Sequence, residues 1–222
     1  MIDLDTPSAT RVLVRRMGLG DLGFVVDQHL EHFPDNVFGR LGSRFLTEYY
    51  RTFLDGPHAE AVIAHLDGEP VGYLVGILDV SEHRRLLRRF HARRLAWHAS
   101  TALSRRPGMA TGLARRRLAV TKTRRRDRRH NGVGTVSEGI SVLSHVAVVA
   151  ERRGAGIGTH LVMHFVNRAA VAGARTVALA TRAGSAGSGP LYESLGWRLT
   201  SERDTFDGRR IALYDLDLTR DR

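Results

Sequence analysis

The chain of 222 residues contains no cysteine. A disulfide framework, a thiolate metal site and a cysteine nucleophile are therefore excluded. The sequence also lacks any run of about eighteen uncharged apolar residues, and its start has no basic flank followed by an apolar stretch. We therefore expect a cytoplasmic protein without a membrane span, whose 42% apolar content suffices for one substantial core.

Acidic residues are scarce in one part of the chain. The segment 81–130 holds 17 of the 34 lysines and arginines but only two of the 23 acids, Glu82 and Asp127. The rest of the chain is mildly acidic. A body with one strongly basic insertion predicts that the insertion meets something anionic, but charge alone does not identify the partner.

Hydrophobic periodicity and turn residues predict alternating strands and helices. We expect helices after the N-cap Asp21, at 45–53, after Gly158 and at 190–195. The insertion reads as two basic helices with a break at 107–108. The predicted strands are 11–16, 61–66, 70–78, 136–149, 176–181 and a final pair around Asp207-Gly208, with a hairpin at Asp67-Gly68.

A glycine-rich turn at 153–158 separates a predicted strand from a predicted helix. This arrangement is typical of phosphate sites, because the first amides of a helix are unpaired and its dipole favours an anion. A nucleotide-binding P-loop is excluded, because Gly158 is followed by Thr159 and not by lysine. A dinucleotide fingerprint is excluded as well, since Leu161 stands where the third glycine belongs.

Two further segments accompany this turn in a fixed order. Arg153-Gly154-Ala155-Gly156-Ile157-Gly158 resembles the Arg/Gln-x-x-Gly-x-Gly/Ala signature of the Gcn5-related N-acetyltransferases (GNAT). Val146-Ala147-Val148 ends the preceding strand at the offset used in that family. Leu191-Tyr192-Glu193-Ser194-Leu195-Gly196-Trp197 is similar to the family's Tyr-x-x-x-Gly-Phe/Trp segment.

The resemblance implies an α/β (α+β) fold with a mixed, mostly antiparallel central sheet flanked by helices. It implies one N-acetyltransferase domain over 11–218, with the basic helical insertion lying between the strands 70–78 and 136–149. Acetyl-CoA is the implied acyl donor. Its pantetheine arm would lie along Val146, Ala147 and Val148. The backbone amides of the turn would hold its pyrophosphate; the turn residues are Arg153, Gly154, Ala155, Gly156, Ile157, Gly158 and Thr159.

The resemblance also suggests the catalytic groups. Tyr192 corresponds to the tyrosine that the family places beside the sulfur of the cofactor, which makes it the expected proton donor to the departing thiolate. The two carboxylates that relatives use as a base are absent, because Val142 and Ala180 occupy their positions. Glu138 and His145, both on the predicted strand 136–149, remain as candidate bases, and a water chain to solvent is an alternative. Strand alternation predicts that Glu138 shares a face with Val146 and that His145 points the other way.

Three functions stay open at this stage. The first is an acetyltransferase for a small-molecule or sugar amine, anionic ones included, and the second is one for RNA or protein amines. The third is a degenerate GNAT-fold module that binds nucleic acid through 81–130. The insertion also has a simpler interpretation, a solvated flap whose apolar residues Leu86, Phe90 and Trp97 dock on the body. A monomer or a homodimer is expected, and no metal site is predicted.

Overall fold

A computed structural model describes residues 12–34, 36–104, 139–184, 187–205 and 208–219. The predicted domain limit at residue 11, the candidate base Glu138 and the insertion residues from 105 onward lie outside these ranges. The limits of the domain therefore stay a prediction.

Within these ranges, seven strands form one sheet in the order β1-β2-β3-β4-β5-β7-β6. Every neighbouring pair is antiparallel except β4 and β5, which are parallel, so the predicted mixed and mostly antiparallel sheet is confirmed. The strands are β1 (Leu13–Arg16), β2 (Ala59–Leu66), β3 (Glu69–Ile77), β4 (Ile140–Val148), β5 (Thr176–Arg182), β6 (Arg198–Asp204) and β7 (Arg210–Asp217).

Helices cover both faces of the sheet. They are α1 (Leu22–His32), α2 (Val37–Leu41), α3 (Ser43–Arg51), α4 (Val80–Leu86), α5 (Ala92–Ser104), α6 (Ile157–Val171) and α7 (Gly189–Ser194). Short 3-10 turns lie at Leu19–Asp21 and Ala150–Arg152, and a π-helical turn, Leu87–His91, joins α4 to α5. The short helix α2 was not predicted. It begins after Asn36, whose side chain accepts a hydrogen bond from the Gly39 amide.

Asp21 precedes α1 as predicted, but its carboxylate does not cap the helix. The carboxylate instead accepts hydrogen bonds from the Gly18 amide at 2.7 Å and from the Arg15 guanidinium at 2.7 and 2.8 Å. The guanidinium beside it lowers the pKa of Asp21. The residue therefore ties the end of β1 to the start of α1.

Helix α6 lies close against β3 at Gly76, where a Cβ would clash with the ring of Phe165. Leu161 of the same helix packs near Gly72, where a Cβ would come closest to the Ala147 carbonyl oxygen, at 2.9 Å. Both α6 side chains are fully buried. The contact between Phe165 and Gly76 therefore fixes where α6 crosses the sheet.

The opposite face of the sheet is covered by α1 and α3. Val25, Leu46 and Tyr50 from these helices are fully buried against Tyr73 of β3 and Ala147 of β4. Two separate apolar clusters therefore sandwich the central strands, one under α6 and one under α1 and α3.

The described part of the insertion, α4 to α5, packs on the α3 side of the sheet. His83 lies against the ring of Phe53 at 5.1 Å between centroids, and His91 Nε2 lies 2.9 Å from Asp55 Oδ2. The flap interpretation was wrong about two of its three docking residues, whereas Leu86 is partly buried. Phe90 and Trp97 keep 63% and 68% of their surface exposed, because buried histidines on the other side of the segment pack on the body.

Candidate active site

Strands β4 and β5 part in the middle of the sheet. They pair only from Ile140 to Leu143 on β4 and from Thr176 to Leu179 on β5. Beyond this point, β4 continues to Val148 and β5 continues to Arg182. Along the rest of each strand, the backbone edges do not pair with each other, which leaves room for another molecule between them.

A β-bulge at Ser144 marks the point where the strands part. His145 pairs with Val75 of β3 and Leu143 pairs with Gly76, so Ser144 has no partner on β3. A bulge shifts the alternation of side chains by one residue. Leu143 and Val146 consequently both face the α6 side of the sheet. Counting back from Val146 to assign a face to Glu138 is therefore not valid.

The predicted pantetheine segment is divided between the two faces. Val146 and Val148 pack into the cluster under α6, whereas Ala147 is buried under α1 and α3. His145 points away from Val146, as predicted. Its ring packs against the rings of His29 in α1, Phe38 in α2 and Phe33 between the two helices. Ala180, where some relatives carry the base, is the first β5 residue beyond the paired part and offers only a methyl group.

The glycine turn has the geometry that an anion site requires. Gly154 and Gly156 both have a φ of 78°, a conformation that disfavours side chains, and a Cβ at either position would meet nothing within 4 Å. Gly156 is the N-cap of α6, so the helix directs its unpaired first amides towards this open space. The turn residues therefore fit a pyrophosphate.

His32, at the end of α1, is a neighbour of the turn that the sequence did not indicate. Its Nε2 lies 3.1 Å from the Val148 carbonyl oxygen, which also accepts a hydrogen bond from Arg153 Nε at 3.3 Å. Arg153 Nη2 in turn lies 3.1 Å from His32 Nδ1. His32 and Arg153 thus meet at one of the carbonyls predicted to bind the cofactor, although 121 residues separate them in the chain.

Tyr192 lies in α7 with 4% of its surface exposed, in the cluster against which Val146 and Val148 also pack. Its ring packs at 5.6 Å from that of Trp197 and at 6.1 Å from that of Tyr214. Burial raises the pKa of Tyr192 to about 12, so the phenol stays protonated at neutral pH. Tyr192 therefore shares the α6 face with Val146 and Val148, whereas His145 lies on the other face.

His145 is held as a neutral imidazole. Burial, together with the nearby His29, lowers the pKa of His145 to about 3. A base of that strength would take a proton from an ammonium of pKa ~10.4 at a cost of about 10 kcal/mol. The surroundings of His145 therefore suit a histidine packed in the core better than they suit a general base.

Comparisons with known proteins agree with this geometry. The sequence profile of the Acetyltransferase (GNAT) family matches residues 27–197. This chain therefore belongs to the GNAT family of acetyltransferases. This assignment confirms the predicted resemblance. As a member of the family, the protein is an acetyl-CoA-dependent N-acetyltransferase.

Solved structures share the fold at low sequence identity. Arabidopsis thaliana NAA60 in complex with acetyl-CoA is 15% identical, with 94% of this chain and 99% of that chain covered and a TM-score of 0.57. The ribosomal-protein-S18-alanine N-acetyltransferase from Escherichia coli is 15% identical, with 94% of each chain covered and a TM-score of 0.53. Salmonella typhimurium yncA, with its cofactor acetyl-CoA, is 13% identical over 94% of this chain and 95% of that one, with a TM-score of 0.56.

No curated protein matches the sequence significantly. Among the helices of the described residues, none has both the length and the apolar character needed to cross a membrane.

Proposed function

We propose that this protein transfers the acetyl group of acetyl-CoA to the primary amine of a small molecule or sugar, with Tyr192 as the proton donor. The observation that carries the proposal is the parting of β4 and β5 at Ser144. Strand β4 leads through a short 3-10 turn to the glycine turn. A bound thioester would therefore reach the middle of the sheet while its phosphates stay at the start of α6.

Each part of the site has a distinct task in this proposal. The backbone amides of the turn from Arg153 to Thr159 bind the pyrophosphate, and backbone groups of Val146 and Val148 orient the pantetheine arm. Acetyl-CoA supplies the activated acetyl group. Tyr192 gives its proton to the departing thiolate, and with a phenol pKa of about 12 against a thiol near ~8.5 this transfer is uphill by about 5 kcal/mol. Such a cost is acceptable within the barrier of a typical enzymatic reaction.

The base remains a choice between Glu138, His145 and a chain of water molecules. The low pKa of His145 favours the other two. A pH profile of kcat/KM decides this point. If kcat/KM falls at low pH in the parent protein but not in a His145→Phe variant, His145 is the general base in spite of its burial.

A second candidate acceptor is an amine on a protein or an RNA. The observation that favours it is the exposed basic surface of the insertion, described below, which a small uncharged amine would not need. A related structure carries the name of a ribosomal-protein alanine acetyltransferase, so protein N-termini are reasonable substrates to test. The third possibility, a degenerate module without activity, is less well supported, because the glycine turn and Tyr192 are both intact.

The test is a mass-spectrometric screen of amine pools incubated with the protein and acetyl-CoA, preceded by a direct titration of acetyl-CoA. The pools contain amino sugars, small aliphatic amines and peptides with free N-termini. Binding of acetyl-CoA with acetylation of a small amine supports the proposal. Acetylation of peptides alone supports the second candidate. Failure to bind acetyl-CoA would leave only the degenerate module.

The expected cytoplasmic location and the monomeric or homodimeric state remain predictions.

A further inference from the structure

We propose that the outward side of the insertion, from α4 to α5, binds single-stranded nucleic acid. This arginine–aromatic face consists of exposed residues that lie outside the core of the domain. Its members are Arg84, Arg88, Arg89, Phe90, Arg93, Arg94 and Trp97. This face is separate from the predicted acetyl-CoA site, and its binding of nucleic acid does not depend on which amine is acetylated.

The described residues leave the positive charge of this face without an ion-pair partner. Arg85 forms an ion pair with Glu82 on the same helix. Within the described residues, none of the five arginines of the face forms an ion pair. Uncompensated guanidinium groups on one side of a helical segment create a positive potential that attracts the phosphates of a polyanion.

The two aromatic side chains of the face remain in water. Phe90 is 63% exposed and Trp97 is 68% exposed. Seven residues correspond to about two helical turns, so the two rings lie on the same side and roughly 10 Å apart along the axis. Arg93 and Arg94 lie between them in the chain. The Arg89 guanidinium carbon is 5.2 Å from the centre of the Phe90 ring, which matches a cation–π interaction.

The inner side of the same segment is already attached to the domain. His83 is 3% exposed and packs on Phe53, and His91 is 5% exposed beside Asp55. Helix α5 also packs on α2 and α3. The segment therefore does not need Phe90 and Trp97 to hold it in place, and these rings are free to stack with a ligand.

Nucleic acid fits this combination better than other polyanions do. Bases offer flat faces to Phe90 and Trp97 while phosphates meet the arginines, and such stacking tolerates any sequence. An acidic peptide would pair with the arginines but leave the two rings in water. A second copy of the chain would bring like charges together at this face.

Trp97 provides a direct measurement. The chain has two tryptophans, and the other, Trp197, is only 3% exposed. We expect a 12-residue oligouridine to quench the fluorescence of Trp97 in the full chain and to bind in a fluorescence anisotropy titration. A double Phe90→Ala/Trp97→Ala variant should bind at least tenfold more weakly, since one stacked base contributes about five- to a hundredfold in affinity.

Two controls separate stacking and local charge from general effects. Val171→Ala removes exposed apolar surface elsewhere, because Val171 is 78% exposed on α6. Arg198→Ser/Arg203→Ser removes two exposed arginines of β6, the same charge as Arg93→Ser/Arg94→Ser removes from the face. Of these two arginine variants, only Arg93→Ser/Arg94→Ser should lose much of the affinity for oligouridine. In that variant, the slope of log affinity against log salt concentration should become shallower by about 0.7 for each phosphate that is no longer bound.

Three results would overturn the proposal. The first is no binding of oligouridine or oligothymidine at low salt. The second is equal binding of polyglutamate, which would identify a general polyanion surface. The third is unchanged nucleic-acid binding in a double aromatic variant whose circular dichroism and melting temperature match the parent. Oligouridine, oligothymidine and a duplex of the same length distinguish RNA, DNA and strandedness. Acetylation of a small amine by the face variants should stay within twofold of the parent.

Discussion

The Nδ1 atom of His29 lies 2.6 Å from the hydroxyl oxygen of Tyr50 inside the cluster under α1 and α3. Asn36 Oδ1 already accepts a hydrogen bond from the Gly39 amide, so it is an acceptor for His29 Nε2–H at 3.1 Å. His29 Nδ1 must then accept a hydrogen bond from Tyr50. Tyr50 in turn accepts from the Tyr73 hydroxyl at 2.7 Å.

Because these hydrogen bonds run in one direction, we expect Tyr50→Phe and Tyr73→Phe to lower the free energy of unfolding by different amounts. Tyr50→Phe leaves both His29 Nδ1 and the Tyr73 hydroxyl without a partner and should lower the free energy of unfolding by about 2 to 4 kcal/mol. Tyr73→Phe removes only the terminal donor and should cost about 1 kcal/mol. Urea denaturation of the two variants measures the difference. Equal costs would show that the hydrogen bonds do not run in the stated direction.

Replacing Gly156 with glutamate should abolish acetyl-CoA binding. The substitution places a side chain and a negative charge where the pyrophosphate is expected. Gly173→Glu is the matched control, since Gly173 has a φ of 83°, has open space around its Cβ position and lies beyond the far end of α6. Both variants carry the same backbone strain, but only Gly156→Glu should lose affinity in isothermal titration calorimetry. Wild-type affinity in a folded Gly156→Glu protein would refute the assignment of the turn.

Replacing Tyr192 with phenylalanine should lower kcat about a hundredfold with little change in the KM for acetyl-CoA, because the hydroxyl acts in the transition state. The melting temperature should hardly change, since the hydroxyl has no hydrogen-bond partner among the described residues. Tyr214→Phe is the control, and it loses only a hydrogen bond of 2.8 Å to Glu193 Oε1. Similar activities of the two variants would make Tyr192 a packing residue.

Acid should destabilise the protein through its buried histidines. The pKa of His145 is lowered to about 3 and that of His83 to about 4, in both cases chiefly by burial. The unfolded chain therefore binds more protons below its histidine pKa of about 6.5, and each group removes up to about 1.4 kcal/mol of stability per pH unit there. Stability is fully present above that pH and falls as the pH drops towards the folded-state values.

His145→Phe keeps a ring in the cluster and removes one of these titrations. The slope of unfolding free energy against pH should become shallower by about 1.4 kcal/mol per unit between about pH 6 and 4.5. His160→Phe serves as the control, because His160 is exposed on α6. Urea melts at several pH values provide the slopes. An unchanged slope for His145→Phe would mean that this ring is already charged in the folded protein.

The sequence by itself determined the succession of strands along the chain, the glycine turn and the family. These features are local or depend on short spacings. For example, the hairpin at Asp67 and Gly68 needs only the positive φ values of these two neighbouring residues, 52° and 86°. The turn is likewise recognisable because only glycine accepts its backbone at Gly154 and Gly156 without strain. Side-chain alternation, however, fails wherever a strand contains a bulge, as β4 does at Ser144.

Only the tertiary structure decided which distant groups meet. His32 reaches Arg153 because α1 crosses the end of β4, and no spacing rule connects residues from separate elements. His29 lies on α1, its hydrogen-bond partner Tyr50 comes from α3, and the further partner of Tyr50, Tyr73, comes from β3. The ionisation of His145 was equally out of reach, because its pKa depends on burial and on the neighbouring His29, and both arise only when β4 packs under α1.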